Sequence, residues 1–299
     1  VCLSLIMISA CATMQKSHPT HHAKRQNLIR QGKIADVAQD LAIKGKKGGR
    51  DGVLHALSAG YYYLFMHDYQ KSHNLFRLAE NQVTNFENRA KINAGDIAAA
   101  TKSSLTSDME LPYKGQAFEK IMINTLAAMN YLFKKDLEGA NVEIRRAELR
   151  QKEAVDKHQK ELAKIEKQKK AKKIDDSILN SIYNYYNVLD EYSSKVINSF
   201  QNGFTYFLGG LVYELNRNPE NAYRDYRKSF SLYKNRYTLD KLIELSRHLN
   251  MQNECEEWSN MHKELFNGEN ITTNSVEDAN PANAELVVVY FCGSVPQKK

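Results

Sequence analysis

Proline and glycine are scarce, 5 and 14 in 299 residues. A many-stranded β protein needs turn residues at short intervals, so this scarcity argues against a sandwich or barrel. Four cysteines, Cys2, Cys11, Cys255 and Cys292, are too few and too scattered for a disulfide framework. Cys255 and Cys292 read either as a pair in an oxidising compartment or as two semi-buried thiols. No apolar run reaches the roughly 20 residues a spanning helix needs. The spacings G-x-S-x-G, H-E-x-x-H, C-x-x-C and G-x-G-x-x-G are missing. The chain is therefore expected to be no enzyme and to carry no cofactor. His18, His21 and His22 cluster near the start, but no cysteine or carboxylate completes a set, so no metal site is expected. Glu110, Glu119, Asp136 and Glu138 offer paired carboxylates, read here as solvated or lysine-paired rather than as acid and base.

What remains is helical and charged. The hydrophobic fraction is 42% and the mean hydropathy −0.58, which suits extended, solvated helices. The formal charge is +7, and residues 143–173 alone hold twelve Lys/Arg against six Asp/Glu. The global charge mostly describes one exposed segment.

The organising stretch is residues 203–232, GFTYFLGGLVYELNRNPENAYRDYRKSFSL. With a turn at Asn216, Arg217, Asn218 and Pro219, residues Tyr206, Gly209, Gly210 and Tyr213 share one helical face. Ala222, Tyr226 and Ser229 share another. Small residues at 210 and 222 allow close approach, and the rings of Tyr213 and Tyr226 fill the space beside it. This resembles the tetratricopeptide pattern, with Tyr206 standing for its tryptophan and Gly209 for its leucine. The proline that normally follows is replaced by Lys234. The same frame fits Gly60, Tyr63, Ser72, Phe76 and Ala79, and again Ala128, Tyr131, Ala140, Ile144 and Ala147. An ordinary helical bundle with small contact residues is the alternative.

At the N-terminus, VCLSLIMISA precedes Cys11. A short apolar run ending in Ile8, Ser9, Ala10 and Cys11 resembles a bacterial lipoprotein signal, and Cys11 is the expected lipidation site. Ala12 is not the retaining aspartate, which the resemblance assigns to the outer membrane. Residues 1–11 then form the signal and 12–22 a tether. The rival reading is a greasy terminus without a role.

Residues 23–266 form the expected helical repeat domain. A first hairpin turns at Gly32. Residues 45–52 read as a flexible connector; they lack the G-x4-G-K-[ST] spacing of a phosphate loop. A pair over 53–83 turns at His67 and Asp68, and 84–116 reads as irregular with one helix through Ile92 and Ala98. Tyr113 and Lys114 lie in the loop before the next pair and are candidate partner contacts. From Ala140 no Gly or Pro occurs until Gly203, so 141–173 reads as one long helix. Near-heptad steps suit an antiparallel coiled-coil arm over 141–200, returning through 178–200. Arg145, Arg146 and Arg150 on that arm are candidate partner-binding residues. Residues 238–266 form a degenerate terminal hairpin, and 267–283 a polar linker. Residues 284–291, AELVVVYF, read as one strand. A lone strand needs partners, so 284–299 is expected to open a β-rich segment cut short.

Three segments, 111–151, 203–230 and 284–299, together resemble an uncharacterised bacterial lipoprotein family with tetratricopeptide-like repeats. The Cys11 signal fits the same family. The resemblance implies an all-α solenoid, a lipid anchor on the periplasmic face of the outer membrane, and further β-rich sequence. The family shows Glu-Asn-Gly where Phe291, Cys292 and Gly293 stand here. Its genes lie near a penicillin-binding-protein activator lipoprotein, which implies a place in cell-envelope assembly. The expected function is non-catalytic: a lipid-anchored scaffold whose partner is another envelope protein or peptide. The alternative is a basic helical module that binds an anionic polymer through the arm. Nucleic acid is not expected as a ligand for an exported chain.

Overall fold

The computed structural model describes residues 18–100, 115–172 and 201–266. All regular structure among them is helical. The helices are α1 (His18–Arg30), α2 (Ile34–Lys47), α3 (Gly52–Phe65), α4 (Tyr69–Ala100), α5 (Ala117–Phe133), α6 (Leu137–Lys172), α7 (Gly203–Leu215), α8 (Pro219–Leu232), α9 (Arg236–His248) and α10 (Gln252–Leu265). They pair in chain order as five hairpins, and α4 packs on α5, α6 on α7, and α8 on α9. The Cys11 anchor, the returning limb at 178–200 and the strand at 284–291 lie outside the described residues, as do Tyr113 and Lys114.

One turn closes all five hairpins. Gly32, His67, Lys135, Arg217 and Asn250 each take a positive φ, between 55° and 77°. The next residue's N–H then returns to the carbonyl five positions back: Lys33 to Leu28, Asp68 to Tyr63, Asp136 to Tyr131, Asn218 to Tyr213, Met251 to Ser246. Together with the N–H of the positive-φ residue, which bonds three positions back, this satisfies the orphan carbonyls at the helix end. It offsets the roughly 1–2 kcal/mol that a non-glycine residue loses in the left-handed region. In three of the turns the following side chain caps the second helix. Asp68 accepts from the Lys71 N–H at 3.1 Å, Asp136 from Gly139 at 2.8 Å and Asn218 from Asn221 at 3.2 Å. Such a cap contributes about 1 kcal/mol.

Small residues sit where aromatic rings cross the hairpin. A Cβ built on Gly60 would lie 2.7 Å from the Phe76 ring, and one on Gly210 2.6 Å from the Tyr226 ring. In the middle hairpin the ring comes from the first helix instead: Tyr131 lies against Gly139. Ala128, Ala140 and Ala222 are fully buried, and Tyr213 nearly so, while Tyr63 and Tyr131 are half-buried. The core runs continuously from Val53 to Leu245, with a smaller cluster of Val37, Leu41, Ala59 and Leu75 under the first hairpin.

Polar bonds register the hairpins against one another. Ser72 Oγ donates to the Gly60 carbonyl at 2.8 Å and accepts from Asn130 Nδ2 at 2.9 Å. The hydroxyls of Thr125 and Thr205 meet at 2.8 Å. Trp258 Nε1 donates to the Tyr223 hydroxyl at 3.0 Å. All but the half-buried Trp258 are inaccessible or nearly so, and losing one would leave a buried polar atom unpaired.

Three expectations need correction. First, α4 does not stop near Val83 but runs to Ala100. No Gly or Pro interrupts it before Gly95, and Glu87 is held by Lys120 at 2.8 Å and Arg150 at 3.0 Å. Second, Gly45 is no connector residue. It is buried inside α2, where a Cβ would meet the Ala56 backbone nitrogen at 2.9 Å, and its carbonyl accepts from Gln82 Nε2. Only Gly48 and Gly49, both at positive φ, belong to the turn. Third, α1 begins at His18, inside the expected tether. By contrast, α6 is one continuous helix of 36 residues, as its unbroken sequence requires.

Candidate partner-binding site

A polar hollow lies between α6, the start of α7 and α8. Arg145, Glu148, Leu149 and Lys152 recur at helical spacing on one side of α6. Arg224 and Lys228 face them from α8, and Tyr206 closes the floor. The hollow is open to solvent and encloses about 460 Å³.

Its floor is a tight ionic cluster. Glu148 Oε1 accepts from the Tyr213 hydroxyl at 2.9 Å and from Arg224 Nη2 at 2.8 Å. Arg224 Nε donates to Asp225 Oδ1 at 3.0 Å and its Nη1 to Asn221 at 2.6 Å. Its guanidinium also lies 5.4 Å from the centre of the Tyr213 ring. Asp225 is fully buried, and its Oδ2 is packed against Gly209 with no hydrogen-bond partner. Burial first, then the neighbouring Glu148, pushes the Asp225 carboxyl far above the carboxylate range. Burial, then the Glu148 charge, pushes the Tyr213 hydroxyl up to about 12. Burial would lower Arg224, but Asp225 and Glu148 more than offset it and hold the guanidinium charged.

Arg224 is thus spent on bracing. The rim cations are not: Arg145 and Lys152 are exposed without a carboxylate partner among the described residues. Lys228 Nζ rests 5.0 Å above the Tyr206 ring. Four cations, Arg145, Lys152, Arg224 and Lys228, and one carboxylate, Glu148, line the hollow. The field of the hollow is positive, while its edge carries apolar surface from Leu149, 56% exposed.

The three arginines expected to act together are divided by the helix. A step of one residue rotates a side chain by about 100°. Arg145 therefore reaches the hollow, whereas Arg146 pairs with Glu143 at 2.8 Å and Arg150 with Glu87 at 3.0 Å, on the side of α4. Glu143 itself is 2% exposed. It accepts from Asn124 at 2.8 Å, and burial raises its carboxyl above the usual range despite that bond. Arg146 braces that buried acid, with its side chain 41% exposed. Lys228 and Arg224 were missed from sequence. Their signal was an i, i+4 basic pair on the side of α8 opposite Ala222 and Tyr226, readable only once the packing face was known.

A second hollow of about 490 Å³ lies between α9 and α10, lined by Arg247, Asn250, Cys255, Glu256 and Lys263 among others. Its charges are mixed, and Cys255 is a free thiol. Among the described residues no group of three or more His, Cys, Asp or Glu could hold a metal ion, and no helix is long and apolar enough to cross a membrane.

No protein-family model matches the chain, and no curated protein matches it. Among solved structures it is similar to PilW, described as a widely conserved type IV pilus biogenesis factor. The identity is 11%, 85% of this chain and 97% of that one are covered, and the TM-score is 0.31.

Proposed function

We propose that the chain is a non-catalytic scaffold for protein–protein interaction, a tetratricopeptide-like solenoid tethered through lipidated Cys11 to the periplasmic face of the outer membrane and serving envelope assembly. In this reading α6 is the outgoing limb of an antiparallel arm that returns through 178–200. The observation that carries the proposal is the division of labour on the hairpins. The aromatic and small residues of the frame are consumed by packing inside each pair, and the ionic hollow between α6 and α8 stays open with exposed cations. Stacked hairpins present such surfaces at fixed spacing, which suits an extended partner.

The same structure weakens the polymer-binding alternative. Arg146 and Arg150, two cations of that stripe, are committed to internal ion pairs. A polyanion would meet a shorter row of free charges than the sequence advertises.

Two measurements test the proposal. Chemical cross-linking in intact cells followed by affinity capture is expected to recover a specific envelope protein; a correctly folded bait that recovers none opposes the scaffold reading. Lipid labelling with and without globomycin, beside a Cys11→Ser variant, is expected to show label in the native chain, a larger labelled species under globomycin because the leader is retained, and no label in the variant. No difference between the three would remove the anchor.

A further inference from the structure

We propose that the hollow between α6 and α8 binds a short acidic peptide segment of a partner, one whose carboxylates alternate with apolar side chains. This rests on the scaffold reading and gives that partner its chemistry. The rim cations come from two helices of different hairpins, Arg145 and Lys152 from α6 and Lys228 from α8. They therefore surround a ligand rather than line one face. Arg224 sits below them and is charged, but its donors are already occupied by Glu148, Asp225 and Asn221. Its charge is balanced by the Glu148 carboxylate, which leaves the three rim cations to meet the ligand.

Size and edge chemistry choose the ligand class. About 460 Å³ accommodates a few side chains, not a long tract. The exposed face of Leu149 and the half-buried Val155 border the cations, over the buried ring of Tyr206. An anionic sugar or a nucleic acid would leave that apolar border uncovered. A peptide with a carboxylate beside an apolar residue covers both. Further along α6 the basic residues continue, eight lysines against two glutamates over 157–173, but none of them lines the hollow.

The test uses the full chain and a fluorescein-labelled hexapeptide of alternating Leu and Glu, with a matched peptide carrying Gln for Glu. Anisotropy titration is expected to show saturable binding of the acidic probe only. The double variant Arg145→Ala, Lys152→Ala is expected to weaken it about tenfold, since two partly exposed pairs at about 0.5–1 kcal/mol each are removed. Lys228→Glu, on the other helix, should do at least as much. Lys46→Ala with Lys160→Ala removes the same charge elsewhere and should change affinity less than twofold. Circular dichroism on each variant confirms folding. Three results would overturn the proposal: no saturable binding by the folded native chain, equal loss in both double variants, or displacement of the probe by heparin or single-stranded DNA that the hollow variants do not alter. Loss of peptide binding alongside successful envelope capture removes the site but keeps the scaffold. Peptide binding without any captured partner removes the scaffold and keeps the site.

Discussion

Replacing Gly210 with alanine probes the hairpin frame most directly. A Cβ there would lie 2.6 Å from Cδ1 and Cε1 of Tyr226 and 2.8 Å from Cγ. Ordinary carbon contacts begin near 3.5 Å, so the ring must retreat by about 1 Å. It has little room to do so. Tyr226 is fully buried, and its hydroxyl donates to Glu214 Oε2 at 2.9 Å. Glu214 in turn holds Lys241 Nζ at 2.7 Å. Overpacking of this kind costs about 1–3 kcal/mol. The better helix propensity of alanine returns about 1 kcal/mol. Three close ring atoms place the clash toward the upper end, so the clash wins. The net loss is about 1–2 kcal/mol, or a fall in melting temperature of roughly 2–8 °C. Urea unfolding followed by far-UV circular dichroism measures it. In a Tyr226→Leu background the ring face is gone, and the same Gly210→Ala change should become neutral or stabilising, with a coupling of about 1–3 kcal/mol. Gly203→Ala is the internal control, since its Cβ meets nothing closer than 3.4 Å. A Gly210→Ala variant as stable as the native chain would refute the close-approach account.

Other positions give sharper single tests. Ser72→Ala strands the Gly60 carbonyl and the Asn130 amide, and should lower stability by about 1–3 kcal/mol in the same urea assay, far more than an exposed Ser→Ala change. Asp225 has a folded-state carboxyl pushed up to about 8, above its unfolded value, so the folded chain holds that proton more tightly. The associated stability is complete below the unfolded carboxyl range and is lost as pH rises toward 8. Asp225→Asn, which keeps a donor and an acceptor, should therefore be stabilised relative to the native chain at pH 8 and converge with it near pH 4; parallel stability curves across that range would sink this account. Arg217 holds a φ of 55° in the α7–α8 turn. Arg217→Gly should gain up to about 1 kcal/mol, whereas Arg217→Val should lose more than that, as read from thermal melts.

Turn positions were legible in the sequence because their chemistry is local. Gly32, the His67–Asp68 pair and the Asn216-to-Pro219 turn all stand where helix periodicity breaks, and the structure turns at each. The length of α4 was not legible in the same way. A repeat's short second helix suggested an end near Val83, but nothing between Tyr69 and Ala94 breaks a helix, and Glu87 is tied to two later helices. Gly45 misled for a related reason. Glycine permits both a flexible connector and a close helix crossing, and only the approach of Ala56 distinguishes them. The frame was read with Ala128 and Ala140 as its small pair in the middle hairpin. The structure adds that Gly139, one residue earlier, receives the Tyr131 ring.

By itself, the sequence determined what depends on neighbours along the chain: the helical class, the turns, the unbroken course of α6 and the small–aromatic frame. Tertiary structure decided what depends on rotation about a helix axis and on contacts across hairpins. It separated Arg145 from Arg146 and Arg150, since adjacent residues on a helix point about 100° apart. It brought Arg224 and Lys228 beside Arg145 from a helix about 80 residues away in sequence, and it buried Asp225 beside Glu148, which pushes that carboxyl up to about 8. Charge count is a property of composition, but which charges remain free is a property of packing.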